Sequence, residues 1–216
     1  MVSTPLVSQP IAPSVGERRM VFRDLDWQRY QTIRQAVGNH RAIRFIYDRG
    51  ILEITMPLED HEFAVRMIAL FIRILVVELG MNLKTMGSTT LDRELLDRSA
   101  EPDNAYYIQT WQQVAGRNVD LDKDPPPDLV VEVDITHTDI RKLNLYASLG
   151  IPEFWRYNGE VWRIYQLQGK EYGEVEKSPT FPSVPKEKLY EFLAQARQNE
   201  VAAEIELRQW VSPVQA

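Results

Sequence analysis

Residues 125–142 read PPPDLVVEVDITHTDIRK, a β-branched apolar run that carries three carboxylates, Asp128, Glu132 and Asp134. Successive side chains of a strand point to opposite faces, and that alternation sorts the run. Leu129, Val131, Val133 and Ile135 form one purely apolar face, while Asp128, Val130, Glu132 and Asp134 form the other. The segment therefore reads as a strand with a core side and an acid side, Glu132 and Asp134 being neighbours roughly 6–7 Å apart on the latter. Asp128 and Asp134 are readable as solvated carboxylates near strand ends. Glu132 is harder to explain that way, because it sits inside the apolar run and an unpaired buried carboxylate is costly.

A second acid source lies just upstream, in AEPDNAYYI at 100–108. Pro102 favours an extended residue before it, which sets Asp103 at the mouth of a strand. Pairing of that strand beside the acidic one brings Asp103 to face Glu132. Two carboxylates converging near a backbone carbonyl make a hard-oxygen site suited to Mg²⁺ or Mn²⁺. Lys142 opens a short helix a few residues downstream. It is either a surface cation or a group that reaches back to a substrate phosphate or a metal-bound water. Glu62 is either the partner of Arg66 in an i,i+4 ion pair or a further functional acid. His40, His61 and His137 are scattered without HExxH spacing, which argues against zinc-hydrolase chemistry. Neither a Gly-rich phosphate loop nor GxSxG occurs.

Working outward, residues 1–16 are Pro- and Ser-rich without a period and read as a loose tail. A first helix is expected over 26–37, capped by Asp24 or Asp26. RAIRFIYD and ILEITMPL, joined by Asp48-Arg49-Gly50, carry a hairpin signal. Asp60 is the expected cap of a long helix that ends at Gly80. That helix is apolar around most of its circumference, so it should be central and buried. Strands are expected in LKTMGSTTLD, NAYYIQ, DLVVEVDI, EFWRY, VWRIYQL and EYGEVE. Helices are expected over 138–148, 186–198 and 201–211. Trp155, Tyr157 and Trp162 read as core and sheet-packing residues rather than base-stacking platforms. The order defines an α/β (α+β) protein in which a mixed β-sheet is flanked by helices, a single domain spanning 17–216.

The bulk composition limits the function. The 216 residues are 44% hydrophobic and 26% charged, enough apolar content for a real core. Without cysteine, disulfides, thiolate zinc sites and a cysteine nucleophile are excluded. A formal charge of −6 argues against nonspecific coating of nucleic acid, so any phosphate-binding surface has to be local. Arg34, Arg41, Arg44, Arg141 and Lys142 are candidates for such a patch. The most hydrophobic segment, 63–79, is interrupted by Arg66 and Arg73 and falls short of the roughly 20 apolar residues of a spanning helix. The N-terminus lacks a signal-peptide pattern, and a cytoplasmic location is expected.

GSTTLDRELLDRSAEPDNAYYI, followed by PPPDLVVEVDITHTDIRKLNLYASLGIPEFWRYNG, resembles the Uma family of putative restriction endonucleases, within the PD-(D/E)XK nuclease superfamily. The likeness runs over about 41–211. It implies a restriction-endonuclease-like core and a Mg²⁺- or Mn²⁺-dependent endonuclease acting on DNA, possible as a homodimer. Asp103 falls at the first metal-binding Asp, Glu132 at the acid of the following strand, and Glu62 where many members place an additional acid. Lys142 matches a basic position on the next helix. The superfamily signature puts its lysine two residues after the acid, where this chain has Asp134. Two other readings are a catalytically inactive module of the same fold and a metal-dependent phosphoesterase with a non-DNA substrate.

Overall fold

The computed structural model describes residues 17–38, 43–135 and 140–212. The tail expected over 1–16, His40, Arg41, His137 and the expected helix start at Thr138 lie outside the described residues.

The described residues open with a strand that the sequence pattern did not announce, β1 (Glu17–Phe22), followed by α1 (Trp27–Val37). Asp26 caps α1, its carboxylate accepting from the Arg29 amide at 2.7 Å. The expected hairpin is β2 (Arg44–Asp48) and β3 (Ile51–Pro57), in register Asp48 to Ile51. Its two turn residues, Arg49 and Gly50, both have positive φ, which a tight twisted hairpin requires.

Next comes α2 (Glu59–Glu78). Asp60 is not its cap. Leu58 holds that position without a side-chain bond, and Asp60 lies within the first turn, where its carboxylate pairs with Arg197 at 2.9 Å. Glu59, Asp60 and Glu62 instead place negative charge at the positive end of the helix. Gly80, in the left-handed region, closes α2, its amide donating to Val77 and the Met81 amide to Val76.

LKTMGSTTLD splits into two short strands, β4 (Lys84–Thr85) and β5 (Leu91–Arg93). A 3-10 turn (Glu94–Leu96), β6 (Arg98–Ala100), β7 (Asn104–Tyr107) and α3 (Trp111–Val114) follow. The acidic strand is β8 (Leu129–Val133). The remaining elements are α4 (Lys142–Ser148), β9 (Glu153–Tyr157), β10 (Trp162–Gln168), β11 (Glu171–Val175), α5 (Lys186–Ala196) and α6 (Glu200–Val211).

Among the described residues the strands form two sheets rather than one: an antiparallel sheet in the order β1-β3-β2-β6-β5 and a mixed sheet in the order β11-β10-β9-β8-β7-β4. Among the described residues only β8 and β9 run parallel, with α4 as their crossover. The mixed sheet flanked by helices is the restriction-endonuclease-like α/β core.

Three apolar clusters hold the layers together. Leu129, Val131 and Val133 of β8 pack with α2, α5 and α6. On the other side of the same sheet, Val130 packs with Ala105, Leu145, Tyr146 and Phe154, and Ile46 and Ala100 of the first sheet join them. Tyr30, Phe45, Tyr47, Leu52 and Ile54 form a third cluster beneath α1. Every residue of β8 is buried, so its acid side faces α4 and the first sheet instead of water. Trp155 and Trp162 are core residues meeting edge-to-face at 4.6 Å, whereas Tyr157 is only half-buried.

Phe71 is fully buried at the centre of α2 against Phe192. Phe71→Ala is expected to cost about 3–5 kcal/mol, by transfer and cavity terms together. Urea denaturation monitored by far-UV circular dichroism reads this directly.

Candidate active site

Antiparallel pairing of β7 with β8, in register Asn104 to Val131, carries Asp103 to the position opposite Glu132. The Asp103 carboxylate accepts from the Val133 amide at 2.8 Å, which ties it to the acidic strand. Lys142, the first residue of α4, reaches back under the strand. Its ammonium donates to Glu132 Oε2 at 2.8 Å and to Asp134 Oδ1 at 2.5 Å. Tyr146, one helical turn on, donates its hydroxyl to Glu132 Oε1. Arg156, on the neighbouring strand β9, donates to Asp134 Oδ2 at 2.8 Å. The cluster is close to dry: Glu132, Asp134, Asp103 and Lys142 are 3%, 4%, 6% and 6% exposed.

Burial and charge separate the two acids that share Lys142. Burial pushes Glu132 up to about 7, further supported by Asp103 and Asp134 and opposed by Lys142. Burial also acts upward on Asp134, but Lys142 and Arg156 together outweigh it and hold that carboxyl below its ordinary value. Burial pulls Lys142 down, while Asp134 and Glu132 more than reverse this and keep the ammonium protonated. One carboxylate is thus a fixed anion and the other holds its proton to near neutrality, the kind of division that acid–base sites exploit.

A cavity of about 10 Å³, the room of one water molecule, lies among Asp103, Glu132, Asp134, Lys142, His61 and the rim residues Arg44 and Glu101. The mixed sheet supplies the chemistry-bearing side of this cavity, and the antiparallel sheet supplies the rim.

Asp103, Glu132 and Lys142, singled out in the sequence, are brought together. Glu62 is not: it is half-exposed, does not line the cavity, and stands 3.5 Å from Arg66. One residue earlier on α2, His61 takes the inward position, its Nε2 3.3 Å from Asp103 Oδ2. Adjacent residues of a helix are about 100° apart around its axis, so HEF offers two acid–base groups of which the packing selects one. Asp128 lies at the other end of β8, where it accepts from the Ile108 and Thr110 amides and the Thr110 hydroxyl, a purely structural brace. Of the five candidate cations, Arg34 is committed to Asp92 at 2.9 Å and Arg141 is exposed beside α4. Arg44 lines the cavity with Lys142. Tyr146 and Arg156 escaped the sequence reading. Tyr146 stands four residues after Lys142, the one signal that could have found it.

The donor set suits a hard divalent cation. Among the described residues no preformed cage of three or more His, Cys, Asp or Glu side chains exists, because Lys142 occupies the space between Glu132 and Asp134. Asp103 and Glu132 remain as the converging pair, and Mg²⁺ is ordinarily held by one or two carboxylates with water and substrate oxygens completing its shell.

The chain matches the Uma2 family model, described as "Putative restriction endonuclease", over residues 27–196. It belongs to that family, whose description and restriction-endonuclease-like fold are of nuclease type. No curated protein gives a significant match. Among the described residues no helix is long and apolar enough to cross a membrane.

Because Glu132 is raised in the folded state, the native protein binds more protons than the unfolded chain between about pH 4.5 and 7. Its contribution to stability is fully present below the unfolded value and lost as pH rises through about 7. With divalent cations chelated, the stability difference between wild type and Glu132→Gln should therefore fall across that window, by on the order of 1–3 kcal/mol, and be flat above it. Denaturant titrations at half-unit pH steps give the curve. A difference that is flat across that window, having risen only below about pH 4.5, would show Glu132 to be an ordinary paired carboxylate.

Proposed function

We propose that this chain is a metal-dependent endonuclease that hydrolyses phosphodiester bonds in DNA. The observation that carries the reading is the meeting of Asp103 and Glu132, from adjacent antiparallel strands, with the Lys142 ammonium bonded to Glu132. Asp103 and Glu132 are the residues that would hold Mg²⁺ or Mn²⁺. Glu62, which does not line the cavity, would add only long-range negative charge. The cation would supply Lewis-acid activation of water and neutralisation of charge on the scissile phosphate.

The chain's own residues do the rest. Tyr146 and Lys142 grip one Glu132 oxygen each and fix the direction of the carboxylate. Arg156 secures Asp134, so Lys142 can turn from Glu132 toward substrate without leaving Asp134 uncompensated. In that position the ammonium would orient the nucleophile or stabilise the charge that develops on the phosphate. His61 keeps Asp103 aimed at the cavity. A cavity of about 10 Å³ admits water or an ion but not a phosphodiester, so turnover requires the Arg44 and Glu101 rim to draw back. A cytoplasmic location and a homodimer cutting both strands fit this reading. The exposed Val201 and Ile205 on α6 would suit self-association.

The same ion pairs favour a second reading, a nuclease-fold module without catalysis. Lys142 already neutralises the acids that a metal would need. Two measurements separate the readings. Calorimetric titration of Mn²⁺ should show binding by the wild type that Asp103→Asn and Glu132→Gln lose, while Glu62→Gln weakens it less than about tenfold. Nicking of supercoiled plasmid should fall with the same two variants. Lys142→Gln should still bind Mn²⁺ but cut about 10²–10³-fold more slowly, the scale of losing one charge-stabilising donor. A wild type that neither binds Mn²⁺ nor nicks the plasmid leaves the inactive module.

A further inference from the structure

A second cavity, of about 230 Å³, lies on the other side of the same strand end. Ile135, which forms part of its floor, directly follows Asp134 of the acidic cluster. The Asp134 amide donates to the carbonyl of Tyr157, whose ring is one of the walls, at 2.7 Å. On α2, Asp60 faces this second cavity while His61 faces the first. The two spaces therefore straddle the C-terminal end of β8, one on the acid side and one on the apolar side.

The lining is specific in chemistry. Three aromatic residues, Phe63, Tyr157 and Tyr190, contribute to the walls. The Arg197 guanidinium lies 3.9 Å from the centre of the Phe63 ring and pairs with Asp60 at 2.9 Å. Both tyrosine hydroxyls are committed, that of Tyr157 donating to the Gly159 carbonyl and that of Tyr190 accepting from the Trp162 amide, so the rings are held in place.

We propose that this cavity receives a nucleobase of the substrate strand, flanking the phosphate bound at the acidic cluster. The assignment rests on the nuclease reading above for its substrate, and on four features of the cavity for its occupant. Its volume is below the range of pockets for drug-sized ligands, and suits a single ring system. Its aromatic walls offer the stacking by which proteins hold unpaired bases of any sequence. The charge of Arg197 is balanced by Asp60, so the site is not built for a phosphate. That same pair presents donors and an acceptor together at one edge, which matches the mixed edge of a base and not the side chain of Phe or Trp. A strand crossing the end of β8 would thus lay its backbone on the acid side and turn one base to the apolar side.

Saturation-transfer NMR on the full chain with deoxyadenosine, deoxyguanosine, deoxycytidine and thymidine tests the site, since these probes carry a base but no phosphate. Wild type should transfer magnetisation to base protons. Ala194→Trp, which fills the cavity from an exposed position on α5, should reduce that signal at least fivefold. Arg197→Ala, also at an exposed position, serves if the tryptophan variant does not fold. Affinity for single-stranded oligonucleotide in Ca²⁺ should drop about 5- to 100-fold in the same variants, the scale of losing one stacked base. Absence of transfer in the wild type, or transfer undiminished in Ala194→Trp, overturns the proposal. Glu132→Gln should retain the nucleoside signal. A wild type that binds nucleosides here but cuts no DNA would remove the nuclease reading and leave the base site standing. One that cuts DNA without nucleoside transfer would do the reverse.

Discussion

The ammonium of Lys142 is the group on which this architecture turns. Glu132 and Asp134 project from the same face of a strand buried on both sides, and burial alone would keep two such acids from ionising together. The lysine sits between them at 2.8 and 2.5 Å, and Arg156 takes the remaining side of Asp134. A buried ion pair of this kind contributes little net stability once desolvation is counted, yet removing one partner is strongly destabilising. The acidic strand, the start of α4 and β9 are therefore tied by these ion pairs in addition to the apolar contacts among Val130, Leu145, Tyr146 and Phe154.

The cation of this cluster comes from a neighbouring helix and not from the acidic strand itself. The superfamily signature carries its lysine two residues beyond the acid on the same strand, where Asp134 stands here. In this fold the parallel crossover from β8 to β9 is short, and α4 begins close under the strand it has just left. Its first residue can return a charged side chain to Glu132. Asp134 accepts from that same lysine, so the strand supplies two acids and the helix the cation between them.

The strand end also organises two different environments within a few residues. Alternation along β8 sends Glu132 and Asp134 toward the antiparallel sheet and Ile135 toward α2 and α5. The first side is a water-sized space among charges, and the second is a larger, aromatic-walled cavity. The N-terminal turns of α2 lie between them and contribute to both.

Sequence alone determined what depends on neighbours in the chain. An Asp cap at 24 or 26 before α1, a tight turn within Asp48-Arg49-Gly50, the Gly80 stop and the two-faced character of β8 all follow from local sterics, hydrogen bonding and period. The apposition of Asp103 with Glu132 was legible as well, because it needed only that two adjacent strands pair. Tertiary structure decided the rest. β1 has no clean alternation and exists because β3 offers it an edge. The strands separate into two sheets because the short segments at β4 and β5 pair with different partners, β7 and β6. His61 rather than Glu62 meets Asp103 because the rotation of α2 is set by which of its many apolar residues fill the core, a choice that a nearly all-apolar helix does not encode in its own pattern. Asp60 left the cap for an ion pair with Arg197, a residue far along the chain. The acid side of β8 looked like a solvent face and became an interior one, because whether a strand face meets water or another layer is fixed by long-range packing and not by the strand itself.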